Sequence, residues 1–197
     1  MTRRIDDVVS MRSKRLYLRP PTKQDIPAFL RWINDSEVTQ FLQAYYPIFE
    51  ADELEWLDKL QKSKENIVFV IVDAKTKKPI GTMGIHRINW KDRIATTGAL
   101  IGEKNYWGKG YGSEAKMLLL SYAFNTLNLR KICSAVISFN ERSKAYSLKC
   151  GYKVEGVLKQ HIFKNGRYWD EIQLAIFRKD WLPIWERFQK NGRCKVV

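Results

Sequence analysis

Residues 101–124 read IGEKNYWGKGYGSEAKMLLLSYAF. A strand-like run, 94–101, leads into this stretch. A helix with an apolar stripe at Ala115, Leu118, Leu119 and Tyr122 leads out. Between them lie Trp107, Gly108, Lys109, Gly110, Tyr111 and Gly112. Alternate glycines let the backbone turn tightly and come close to a ligand. The loop opens a helix, whose first amides lack intrahelical partners and point the same way. Such a helix start attracts phosphate through hydrogen bonds and the macrodipole, and Lys109 adds a full positive charge. A short glycine pattern by itself only turns the chain. The order strand, loop, helix points instead to a diphosphate site.

Other phosphate loops can be tested against these residues. A G-x-G-x-x-G starting at Gly110 would need a further glycine at Ala115, and no G-x-x-x-x-G-K-[ST] occurs. The pattern present, from Trp107 through Ser113, resembles the pyrophosphate loop of the GNAT N-acetyltransferase superfamily, which holds acetyl-CoA. That family usually begins the motif with Gln or Arg, where this chain has Trp107. In its YWGKGYG setting the Trp variant is similar to the branch of RimJ/RimL-type ribosomal-protein acetyltransferases and spermidine acetyltransferases.

The 197 residues are expected to form one GNAT domain, with a core over about 14–180 and a basic, aromatic terminal helix and tail over 181–197. No apolar run reaches membrane-spanning length. The basic N-terminus has no signal-like apolar region, and Cys133, Cys150 and Cys194 read as reduced thiols in a cytosolic protein. His86 and His161 are too isolated for a zinc site, so no metal is expected. The net charge of +14, from 35 Lys+Arg against 21 Asp+Glu, favours acidic partners such as CoA, RNA or a ribosome surface. A second copy of the chain is a further candidate partner. No nucleic-acid motif is present.

Along the chain, strands are expected over 15–19, 67–72, 80–88, 93–101, 131–138, 152–163 and 168–178. Helices are expected from Thr22, with Asp25 in the capping-box position, then over 51–62, 113–125, 140–149 and 181–190, with a further turn over 37–42. Asn165-Gly166 marks a hairpin turn. This order reads as an α/β mixed sheet flanked by helices. It matches the GNAT fold, whose mostly antiparallel sheet has splayed fourth and fifth strands.

Acetyl transfer needs an anchored CoA, a donor for the developing oxyanion, and a proton acceptor for the amine. An acid near the leaving sulfur helps further. The resemblance implies that strands 93–101 and 131–138 splay. Leu100, Ile101 and Gly102 would then offer backbone groups to pantetheine. Asn140 reads as a helix N-cap, and in the family the Asn at this place also contacts pantetheine. Ser143 and Lys149 match positions that commonly face CoA. The family's acidic Tyr aligns with Ser147, while a Tyr occurs one residue earlier at Tyr146, about 100° round the helix. Ser143 is a second candidate acid. The family's basic Glu aligns with Thr97. Glu103, acting through water, and Asp170 or Glu171 are alternatives. Phe41, Tyr45 and Tyr46 are candidates for the acceptor pocket. The expected acceptor is a protein N-terminal α-amine, as on a ribosomal protein. A polyamine or amino sugar is the alternative, with Asp52, Glu53 and Glu55 as a possible cation site. A CoA-binding module without turnover is the non-enzymatic reading.

Overall fold

The continuous apolar run IVFVIVD forms β3 (Ile67–Asp73), buried on both faces, in a computed structural model that describes residues 9–191. Its neighbours are β2 (Leu16–Arg19) and β4 (Pro79–Asn89), each antiparallel to it. β5 (Ile94–Ile101) follows β4 in another antiparallel pair. Beyond it lie β6 (Lys131–Ile137), β8 (Arg167–Phe177) and the edge strand β7 (Lys153–Lys164). A short β1 (Met11–Arg12), not foreseen from the sequence, closes the other edge. Among the described residues the sheet has eight strands, of which only β5 and β6 pair in parallel. At the hairpin, Asn165 (φ 54°) and Gly166 (φ 77°) both occupy the left-handed region, as a primed turn requires.

Helices cover the two faces unequally. On one face lies α4 (Tyr111–Ser121), with Ala115 and Leu118–Leu120 packed among Leu16, Ile71, Ile85, Ile132 and Leu174. Its end passes into a π turn, Tyr122–Thr126, which closes with Leu127 N–H donating to Tyr122 O. The helix expected over 113–125 thus begins two residues earlier and changes its hydrogen-bond pattern before its end. α5 (Glu141–Lys149) and α6 (Arg178–Asn191) lie on the same side, and Trp181 of α6 stacks near Phe124.

The other face of β2–β4 carries α1 (Ile26–Ile33) and α3 (Glu50–Lys62), joined through the short α2 (Ser36–Thr39). Here Trp32, Phe29 and Leu57 pack on Tyr17, Val70 and Val72. The Asp25 carboxylate accepts the Thr22 N–H at 2.8 Å and pairs with Arg19 at 2.7 Å, so the expected start signal also anchors α1 to β2. Further along this face, Ala135 of β6 and Leu158 of β7 remain exposed. Among the described residues, no helix is long and apolar enough to cross a membrane. Cys194 and the tail after 191 lie outside the described residues.

Candidate active site

β5 and β6 stay paired for three residues only, with Ile94, Ala95 and Thr96 opposite Lys131, Ile132 and Cys133. β5 then continues along β4 to Ile101, while β6 continues along β8 to Ile137. The strands part after Thr96, and the inner edge of β5 loses its partner. Backbone groups alternate sides along a strand. The Thr97 carbonyl points into the fork, where it accepts from Ser134 Oγ at 3.4 Å. Ile101 O points the same way and accepts from Trp107 Nε1 at 2.6 Å. Ala99, midway between them, therefore presents its N–H and C=O to the gap.

This corrects two expected contacts. The Leu100 carbonyl faces β4, so close that a Cβ on Gly81 would lie 2.1 Å from it. The Gly102 N–H is taken by Ile80 O at 3.0 Å. Gly102 has a packing reason to lack a side chain, since a Cβ there would sit 2.1 Å from the Trp32 ring.

A buried polar knot sits where the strands part. Lys116 of α4 is fully buried, and its Nζ donates to Thr97 Oγ1 at 2.7 Å. The same oxygen lies 2.9 Å from Tyr152 OH and donates to Cys133 O at 3.3 Å. The rings of Tyr146 and Tyr152 each stand 5.6 Å from the ammonium. No carboxylate pairs with it in the described structure, and burial pushes its pKa down to about 8. Lys116 and Tyr152 were not singled out from the sequence. The available signal was a lysine three and four residues before Leu119 and Leu120, on an apolar helix face.

The glycine loop is held from outside. Gly108 (φ 72°) and Gly110 (φ 81°) take left-handed conformations, and Glu114 N–H to Gly110 O is the first intrahelical bond. The amides of Tyr111 and Gly112 precede it at the helix mouth. A Cβ on Gly108 would meet nothing within 4 Å, and one on Gly112 only Ile101 Cγ1 at 3.9 Å. That open cradle fits a diphosphate. Buried Glu114 accepts from Ser13 Oγ, Arg15 N and Arg15 Nε at 2.6–3.1 Å. Arg15 in turn donates to Lys109 O at 2.8 Å and lies over the Tyr111 ring. Tyr111 OH donates to Asp73, which ties the loop to the end of β3.

A cleft of about 260 Å³ joins loop, fork and α5. Trp107, Gly108, Gly110, Tyr111, Gly112 and Ser113 line it from the loop. Ala99, Leu100 and Ile101 line it from β5, and Asn140, Ser143, Tyr146 and Lys149 from α5. Val38, Phe41 and Leu42 line it from the opposite side. The cleft therefore runs through the sheet, from the α4–α5 face to the α1–α2 face. Asn140 is the expected N-cap, its Oδ1 accepting from Ser143 N–H at 3.1 Å. Trp107 does two things that a Gln or Arg would do differently. Its indole N–H holds Ile101 O, and its ring supports Arg142, which also covers Phe41.

Other expected residues lie elsewhere. Ser147 is fully buried and does not line the cleft, whereas the Tyr146 ring does. Burial raises the Tyr146 phenol above its usual pKa, so it stays protonated. Glu103 is outside the cleft, clamped by Trp32 Nε1 at 2.9 Å and Arg31 at 2.5 Å. Burial alone would raise its pKa, but these donors hold it below the ordinary carboxylate value. Glu103 thus joins β5 to α1 and is not placed as a base. Lys109 is exposed and does not line the cleft, and its carbonyl accepts from Arg15. Tyr45 and Tyr46 are exposed and do not line the cleft. Thr97 belongs to the knot, and Asp170 is held by Gln160 N–H and Lys159.

A forked sheet beside a glycine cradle defines an enzyme that moves an acyl group from a CoA thioester. Residues 15–153 match the model of the acetyltransferase (GNAT) domain family. The chain is 34% identical over 163 residues to the uncharacterized N-acetyltransferase YoaA of Bacillus subtilis, covering 81% of this chain and 92% of that one. It is 30% identical over 167 residues to the spermidine N(1)-acetyltransferase of Escherichia coli K12, covering 84% and 87%. A solved spermidine N-acetyltransferase from Vibrio cholerae, in complex with CoA and spermine, superposes with a TM-score of 0.78. It is 27% identical to this chain, with 85% and 98% of the two chains covered. The chain belongs to the GNAT acetyltransferase family and is an acetyl-CoA-dependent N-acetyltransferase.

Two outcomes follow from the site. Gly112→Glu keeps an ordinary helical backbone and places a carboxylate in the cradle. CoA affinity measured by calorimetry is expected to fall about 100-fold, with Tm held or raised because a first helical turn favours acidic groups. Lys116 binds fewer protons folded than unfolded between its folded pKa of about 8 and its unfolded value. Wild-type stability therefore gains from this group as pH rises from about 8 to about 10.5, by about 3 kcal/mol. Below pH 8 the penalty is present in full. Denaturant titrations of wild type and Lys116→Met across that range are expected to converge as pH rises, with Met the more stable at neutral pH.

Proposed function

We propose that the acceptor is a protein N-terminal α-amine and that Tyr146 supplies the proton to the leaving thiolate. The charge pattern around the α1–α2 side of the cleft supports the acceptor. A polyamine carries several cations and calls for several free carboxylates. Here Glu103 is paired with Arg31, Lys104 holds both Asp35 and Glu37, and Asp170 faces Lys159. Arg142 lines the cleft itself. Glu53 is half-buried on α3, where burial raises its pKa, and Asp52 is occupied by the Phe49 N–H. Glu171 differs, since its carboxylate contacts the neutral amides of Gln43 and Gln173. One such carboxylate beside the Phe41–Phe139–Trp169 ring cluster suits one ammonium with an apolar neighbour.

In this reading the Tyr111 and Gly112 amides take the diphosphate, and Asn140, Ser143 and Lys149 border the pantetheine path. The Ala99 N–H polarises the acetyl carbonyl. Tyr146 is preferred to Ser147 as the acid because its ring reaches the cleft. The relatives that acetylate spermidine favour the second reading, a polyamine acceptor.

A panel comparing spermidine with peptides bearing free N-termini tests the choice. The peptides are expected to give the higher kcat/KM, and a clear preference for spermidine would overturn the acceptor. Glu171→Gln is expected to raise the acceptor KM about tenfold with kcat little changed, the value of roughly one charge-assisted hydrogen bond. Tyr146→Phe is expected to lower kcat by about 10²-fold while CoA affinity holds.

A further inference from the structure

His86 occupies an unusual place on β4. It pairs across the sheet with Thr96, the last residue before β5 and β6 part. Its side chain leans along the sheet over two paired glycines, Gly84 and Gly98. A Cβ on Gly84 would lie 2.5 Å from His86 Nε2, and one on Gly98 would lie 3.5 Å from it. Both strands thus lack a side chain where the imidazole rests. Residues facing one another across a sheet share a face. Gly98 therefore shares its face with Leu100, which lines the cleft on the side of Phe41 and Leu42. That is the face opposite α4 and Tyr146. The Ala99 amide, turned into the fork, follows Gly98 directly.

Of the carboxylates considered for proton abstraction, Glu103 and Asp170 are engaged elsewhere, and Glu171 serves in the proposed site as the partner that holds the ammonium rather than the group that deprotonates it. His86 is half-buried, and no hydrogen bond to its ring nitrogens is found among the described residues. We propose that His86 is the proton acceptor for the incoming amine, receiving at Nε2 the proton that the ammonium must lose. His86 does not itself line the cleft, so the proton reaches it from an amine at the Ala99–Leu100 edge, about 7 Å away along the strand, through a short chain of two waters.

The balance is as follows. The ammonium N–H bond breaks and its proton moves to His86 Nε2, which later returns it to solvent. The freed nitrogen pair forms the C–N bond at the thioester carbonyl, and the C–S bond breaks as the sulfur leaves. The amine's second proton passes to solvent water as the amide forms, the sulfur takes one proton from the Tyr146 hydroxyl, and Tyr146 is reprotonated from solvent. A peptide α-amine and a polyamine both arrive as ammonium ions, so both need the same acceptor.

The charges facing His86 suit a base. Arg87 lies next to it on β4, and Lys116 of α4 acts through the sheet. Across the fork on its own face stand Cys133 of β6 and Glu171 of β8. Burial first, then Arg87 and Lys116, hold the imidazole below its ordinary pKa, so it is neutral at pH 7.

The test is kcat/KM against pH, from about 5.5 to about 9.5, for wild type, His86→Gln, His86→Ala, Gly84→Ala and the His86→Ala/Gly84→Ala pair. The substrate is whichever of spermidine or a free N-terminal peptide wild type turns over fastest. Wild type is expected to show an acid limb below the usual histidine range and a plateau above it. His86→Gln is expected to lose about 10²-fold at pH 7, with the loss shrinking as alkaline pH supplies free amine. Its CoA affinity should equal that of wild type. Gly84→Ala, which displaces the ring, should reproduce the defect, and adding it to His86→Ala should cost little more. A His86→Gln enzyme that keeps the wild-type profile, loses the same factor at every pH, or binds CoA less tightly would overturn the proposal.

Discussion

Two neighbouring strands that stop bonding in mid-sheet are the constraint on which this structure turns. Unpaired backbone amides inside a protein are costly, and a parallel pair zips shut unless something prevents it. Here the obstacle is chemical. At the first residue past the last pair, Thr97 turns its hydroxyl to the Cys133 carbonyl and receives Lys116 and Tyr152. The Thr97 carbonyl is taken by Ser134 Oγ. Side chains thus satisfy the groups nearest the branch point, and the free edge begins only at Ala99. A lysine without a carboxylate is an expensive way to do this, since burying an ammonium is unfavourable. Its three donors and two flanking aromatic rings are what a methionine in the same volume would lack.

The second requirement is that the anion cradle stay put beside that edge. Helix starts attract anions, but a loop with two left-handed glycines is entropically costly to order. The order comes from the segment leading into β2. Arg15 reaches 94 residues along the chain to the Lys109 carbonyl, and Glu114 fixes Arg15. Glu114 would oppose an incoming diphosphate if its charge faced the cradle. It is buried and saturated by Ser13 and Arg15, so the loop amides set the local field. Trp107 completes the frame by tying the loop to Ile101 O. A flexible Gln or Arg could make that bond but could not also present a ring to Arg142.

Much of this was legible in residue order, and what was not has a common cause. The glycine pattern, the Asn140 cap, the Asn165-Gly166 turn and the strand runs are local signals, and each stands where it was read. The helix at 111–126 was misjudged at both ends because a left-handed glycine starts it and a π turn replaces its last turn. Glu103 was read as a candidate base acting through water because Trp32 and Arg31, its partners, lie about seventy residues away. Sequence separation also hid Lys116 and Tyr152, which lie 19 and 55 residues from the Thr97 hydroxyl they share. His86 was set aside as a lone histidine. Only the β4–β5 register shows that Gly84 and Gly98 both lie beneath the His86 ring.

The register of α5 bears on which side chain reaches the cleft. The family position for an acidic tyrosine holds Ser147, whose side chain points inward and is sealed. Tyr146, a turn of about 100° away, would ordinarily point off the sulfur's path. In this chain the fork floor below it is occupied by Lys116 rather than by an apolar side chain, and the Tyr146 ring leans over that ammonium. The cation and the ring therefore fix each other: the lysine draws the phenol toward the branch point, and the rings of Tyr146 and Tyr152 offset part of the cost of burying the charge.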